Sequence, residues 1–116
     1  MGGLLGIAHF TFHEGRVDEF KRLSRQCMAI VQERDIGTLR YEIFLNSNES
    51  AAVVVEEYVD LAALEAHSAH IGDQLSASIL ATGTVHGEIL GDLDGDVRAR
   101  FEGGPVAPFA PFPARQ

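Results

Sequence analysis

Residues 38–59 read TLRYEIFLNSNESAAVVVEEYV, and the fold is decided here. Residues 38–46 alternate: Leu39, Tyr41, Ile43 and Leu45 share one face while Arg40 and Glu42 take the other, the period of a half-buried strand. Residues 46–50, NSNES, are turn formers. Residues 51–59 run through Val53, Val54 and Val55 to Glu56, Glu57, Tyr58 and Val59, a second strand rich in β-branched residues. Two such runs across a loop of about five residues predict an antiparallel hairpin.

The flanks repeat one pattern on each side. Upstream, residues 4–12 (LLGIAHFTF) read as a buried strand. After it, Val17, Phe20, Leu23, Cys27, Ile30 and Val31 recur at the spacing of an amphipathic helix that ends before Gly37. Downstream, Asp60 is a good N-cap for a helix over LAALEAHSAH, expected to run past Gly72 into DQLSASILA before Gly83 breaks it. Residues 84–91 read as a last strand, and VRARFE as a short helix. The order β-α-β-β-α-β, with right-handed crossovers, predicts an α+β ferredoxin-like sandwich: a four-stranded antiparallel sheet with helices on one face. The first and third strands are apolar on both faces, so the uncovered face calls for a second copy of the chain, a homodimer with sheets packed face to face. Residues 103–116 hold all four prolines and cannot enter a sheet interior, so they are read as a Pro-rich tail outside a domain at 1–102.

The chain's 116 residues suit a single domain. Hydrophobic residues make up 46% and charged residues 22%, which excludes a wholly disordered chain. A net charge of −8 argues against nucleic acid, and no basic cluster suggests a membrane surface. No uncharged apolar run approaches the roughly 18 residues of a membrane helix. The single cysteine, Cys27, falls on the apolar helix face as a core thiol; with no signal-peptide pattern at the start, a cytoplasmic setting is expected.

Histidine is the side chain most easily tuned for proton transfer near neutral pH, and five are present: His9, His13, His67, His70 and His86. At about 100° per residue, Leu61, Leu64, Ser68 and Ile71 cluster on one side of the second helix. His67 lies near that cluster and should point into the gap between helices and sheet, with His70 at its rim. These two histidines, three apart, could share a metal only with help from His9, His86 or Glu57; the stronger metal motifs space histidines four apart, so no metal is expected. Glu57 shares its alternation with Val53, Val55 and Val59, and a carboxylate among apolar residues is either paired or has a raised pKa. By the same alternation Tyr58 faces the opposite side, that of a dimer interface. Asp92, Asp94 and Asp96 begin like a calcium loop, but Val97 stands where its turn glycine belongs and Gly103 where its last glutamate does.

Three stretches carry a family resemblance: Gly37-Thr38-Leu39-Arg40-Tyr41-Glu42-Ile43-Phe44, then Val55-Glu56-Glu57-Tyr58-Val59-Asp60, then Ala63-Leu64-Glu65-Ala66-His67-Ser68-Ala69-His70. Over residues 5–91 the chain resembles the antibiotic biosynthesis monooxygenase family of dimeric α+β barrels, which includes quinol monooxygenase-like proteins. The resemblance implies a pocket between sheet and helices, and oxygenation of a small phenolic or quinol-type substrate by O2 without metal or flavin. Mapped onto this chain, His67, Tyr41 and Glu57 become the catalytic candidates, with His67 as base or anion stabiliser. His70, His9, His86 and Tyr58 become substrate-binding candidates. The family often has Trp where this chain has Tyr58. The haem-degrading relatives' Asn position is Ala8 here and their Trp is absent, which disfavours haem degradation. Two other functions compete: a non-oxidative isomerase or cyclase of the same fold, and a non-catalytic dimeric ligand-binding protein.

Overall fold

A computed structural model describes residues 3–113 of the chain; residues 114–116 of the expected tail lie outside the described residues. The elements are β1 (Leu4–Phe12), α1 (Val17–Arg34), β2 (Thr38–Leu45), β3 (Ala51–Tyr58), α2 (Leu61–Ile71), α3 (Asp73–Leu80), β4 (Gly83–Leu90), α4 (Gly95–Phe101) and β5 (Val106–Phe109). The sheet order is β2-β3-β1-β4-β5. The first four strands pair antiparallel, which gives the expected ferredoxin-like arrangement. No helix among the described residues is long and apolar enough to cross a membrane.

Two details differ from the expectation. The sheet has a fifth strand, because part of the Pro-rich tail pairs parallel to β4 at the sheet edge. Pro108 lacks an N–H, and an edge position tolerates that because only one side needs a partner. Gly87 N–H donates to the Pro105 carbonyl at 2.8 Å and Gly91 N–H to that of Phe109 at 3.0 Å, so β4 supplies donors the prolines cannot. The second helix is also split. Gly72 takes φ +83°, a left-handed conformation that ends α2 and lets α3 start in a new direction.

The core lies between α1 and one sheet face. Phe20 packs at a tilt against Phe10 and Phe12, 5.0 Å and 4.8 Å away between ring centroids. Phe10 and Phe20 form the buried cluster with Ala52 and Val54, and Phe12, Ile43, Ile79 and Val85 extend it. Phe10 and Phe12 are even-numbered, so β1 turns its even face to the helices. The register Ala8↔Val54 and Phe10↔Ala52 passes that choice to β3, and Tyr41↔Glu56 passes it to β2. The even residues of β3, including Glu56 and Tyr58, therefore face the helices; Val53, Val55 and Glu57 face away. Against β4, Phe10↔Val85 and Ala8↔Gly87 share the inner face. A side chain at Gly87 would collide with the Ile7 carbonyl, so glycine lets β1 and β4 lie close there.

Candidate active site

A cavity of about 240 Å³ opens between the sheet and the helices. Its floor is Ala8, Phe10, Tyr41, Ile43, Val54, Glu56 and Val85 from the inner sheet face. α1 contributes Phe20, Ser24 and Cys27, α2 contributes Leu64 and His67, and α3 contributes Ile79. Ser68, Ser76 and Leu80 are exposed as well as lining, so the cavity opens to solvent along α2 and α3. Val106 of β5 completes the lining, so the tail forms part of the wall.

The polar end is organised by Asp35, just beyond α1. Its side chain is only 3% exposed. Oδ2 accepts from His67 Nδ1 at 2.7 Å and from Thr38 Oγ1 at 2.7 Å; Oδ1 accepts from His70 Nδ1 at 2.6 Å. Burial alone would raise the carboxyl pKa, but hydrogen bonds from His70, His67 and Thr38 outweigh it and hold Asp35 below the usual carboxylate range. An ionised carboxylate can only accept, so both histidines place a proton on Nδ1. In neutral His67 this leaves Nε2 as the lone-pair nitrogen, 3.7 Å from Glu56 Oε1 in the cavity lining. Two aromatic rings pack near the imidazole: Tyr41 lies 5.6 Å and Tyr58 5.4 Å away between centroids.

Tyr58 donates its hydroxyl to Glu56 Oε1. Burial, with the Glu56 carboxylate alongside, pushes both the Tyr41 and Tyr58 phenols well above their usual range, so both remain protonated donors. Burial likewise raises the Cys27 thiol. A neutral thiol is a poor nucleophile, and Cys27 acts as apolar wall. The result is one base-capable nitrogen, one carboxylate and one phenol lining the end of a mostly apolar hollow, with Asp35 and the Tyr58 phenol buried behind them.

The structure brings His67 and Tyr41 together at this cavity, and buried Tyr58 stands behind them. Glu57 is elsewhere. It faces the outer side of the sheet beside Arg40, 3.8 Å away, and its neighbour Glu56 takes the inward position. Tyr58 is corrected with it, from the dimer side to the helix side, where it is 1% exposed. His70 turns to Asp35 instead of lining the cavity. His9 and His86 stack on each other on the outer face and do not reach the cavity mouth. Sequence reasoning missed Asp35 and Glu56. For Glu56 a signal existed: a hairpin closed at Asn46 and Ala51 sets Tyr41 opposite position 56.

The model of the family described as antibiotic biosynthesis monooxygenase matches residues 5–71. The chain belongs to this family. Among solved structures, this monooxygenase-family chain is similar to MupZ from Pseudomonas fluorescens at 16% identity and TM-score 0.76, covering 99% of this chain and 91% of that one. It is similar to Rv0793 from Mycobacterium tuberculosis at 21% identity and TM-score 0.67, over 80% and 97% of the two chains. It is also similar to a variant of SnoaB, a cofactor-independent oxygenase from Streptomyces nogalater, at 15% identity and TM-score 0.64, over 77% and 91%. At these identities the likeness is one of fold. No curated protein matches the chain significantly in sequence.

Proposed function

We propose that the protein is a cofactor-independent monooxygenase that oxidises a small phenolic or quinol-type substrate with O2 in the cavity beneath α2. The observation that carries this reading is the Asp35–His67 hydrogen bond, which fixes the imidazole at the cavity and, in its neutral form, leaves Nε2 as the lone-pair nitrogen. His67 takes the phenolic proton, and Asp35 offsets the charge the imidazole gains. The resulting phenolate is electron-rich enough to reduce dioxygen directly. The redox balance closes without a cofactor: a phenol plus O2 gives a quinone plus water, with the substrate supplying all four electrons. Tyr41 is the donor placed to orient the substrate oxygen, and Tyr58 holds Glu56 in place. The volume is slightly below the roughly 300–1,000 Å³ of drug-sized sites, which favours one aromatic ring or a small fused pair.

The test is oxygen uptake with a panel of hydroquinones and small fused-ring phenols. Uptake above the protein-free rate, one O2 per quinone formed, is expected. Turnover of the same compounds under strict anaerobiosis would replace this reading with a proton-transfer isomerase or cyclase at the same base. Saturable binding without turnover would leave a ligand-binding protein.

The functional unit is proposed to be a homodimer. Leu5, Ile7, Val53 and Val55 form an apolar stripe on the outer sheet face, and Phe44 beside them is 54% exposed. A second copy is the economical cover for such a stripe. Sedimentation at micromolar concentration should give twice the chain mass, and Val55→Lys, a charge in the middle of the stripe, should give monomer. A wild-type monomer at that concentration would rule the dimer out.

A further inference from the structure

On the face opposite the cavity, β1 and β4 bring together three side chains that the proposed chemistry does not use. His9 and His86 are register partners across the two strands. Their rings stack with centroids 4.8 Å apart and planes 12° apart. Glu88 follows two residues along β4 and therefore projects from the same face. Its Oε1 lies 3.2 Å from His9 Nε2. One ligand-capable atom from each of the three residues lies within 4.8 Å of the others.

We propose that His9, His86 and Glu88 form a binding site for a divalent transition-metal ion of the Zn²⁺ class. Two imidazoles and one carboxylate are the donor set of open, three-ligand zinc sites, with water in the fourth position. Imidazole donors select against Mg²⁺ and Ca²⁺, which prefer oxygen. Metal–ligand bonds of about 2.0–2.2 Å require donor atoms somewhat over 3 Å apart. The His9–Glu88 distance already meets that requirement, and His86, the exposed member, closes the rest by side-chain rotation. Adjacent strands hold the three Cα positions rigidly, which lowers the ordering entropy lost on binding. Ile7 and Val53, the register partners of Glu88 and His9, give the site an apolar flank. The chain's net charge of −8 draws cations toward it.

Metal-free full-length protein titrated with ZnCl₂ by calorimetry tests the site. The oligomeric state is recorded at the same concentration, because a second copy is proposed to meet this face. One ion per chain is expected, with Kd about tenfold or more weaker in His86→Ala and in Glu88→Gln. His13→Ala, at an exposed histidine outside the cluster, should bind as the wild type does. Co²⁺ is the second probe: its visible absorption should intensify on binding to the wild type and not to His86→Ala. Neither readout depends on turnover, so failure here is distinct from failure of the oxygenase reading. No binding to the wild type up to millimolar Zn²⁺, or equal affinity in wild type, His86→Ala and Glu88→Gln, overturns the proposal.

Discussion

His67→Gln should lower the rate of oxygen consumption by about 10²–10⁴-fold, the range contributed by a positioned general base. The loss should appear in kcat, because the proton is transferred as the reaction proceeds and not on binding. Glutamine keeps a polar amide near Asp35, so the fold should survive and the melting temperature should move by only a few degrees. The cavity stays open, and a non-reacting substrate analogue should bind the variant about as well as the wild type. Equal oxygen consumption by the two proteins would remove His67 from the chemistry. His67 is 7% exposed, so a general loss of fold must be excluded by circular dichroism before the rate is read.

Asp35→Asn should produce the second large effect. The amide has one acceptor oxygen where the carboxylate serves His67, His70 and Thr38. Its NH₂ group turns a donor toward one of the imidazoles, and the ring can respond by moving its proton to Nε2. That removes the lone pair from the cavity side. Swapping the orienting carboxylate of a histidine base for its amide drops kcat by about 10⁴-fold in the serine protease precedent, so a loss of several hundredfold or more is expected. The double variant with His67→Gln should be little worse than His67→Gln alone, because the two residues act as one unit. Additive losses would show that Asp35 acts independently of His67.

Asp35 also sets a stability prediction whose sign follows from its lowered pKa. The unfolded carboxyl titrates near about 3.9, and the native one lower. Stability from this group is therefore fully present above about pH 4 and is lost as pH falls through the native pKa. Urea unfolding from pH 7 down to pH 3 should show the wild type losing more stability over the acid end than Asp35→Asn. Parallel curves would mean that the three hydrogen bonds to Asp35 contribute little.

The ferredoxin-like order and the hairpin at residues 38–58 were legible because turn residues and strict alternation coincide there. The direction of His67 was legible from helical spacing alone. The face of β3 was not. The run AAVVVEEY is apolar on both sides, so composition gives no preference; Phe10, Phe12 and Phe20 make the choice from a distance. That one ambiguity exchanged Glu57 for Glu56 and misplaced Tyr58. Asp35 was hidden differently. A carboxylate beyond a helix C-terminus meets the negative end of the helix dipole and reads as a solvated residue next to Arg34. Its two histidine partners come from α2, more than thirty residues away, where no local pattern points back to it. β5 was obscured because four prolines argue against a strand, an argument that fails at an edge where only β4 needs to be matched.

The placement of Val106 separates reactivity from fit. The Asp35–His67 pair sits by β2, at one side of the sheet, while β5 closes the hollow from the far side. β5 is bound to the sheet through a single neighbour, so its sequence can drift without disturbing Asp35 or His67. Changes along that outer ribbon would reshape the volume the hollow encloses and leave the buried carboxylate–imidazole pair untouched.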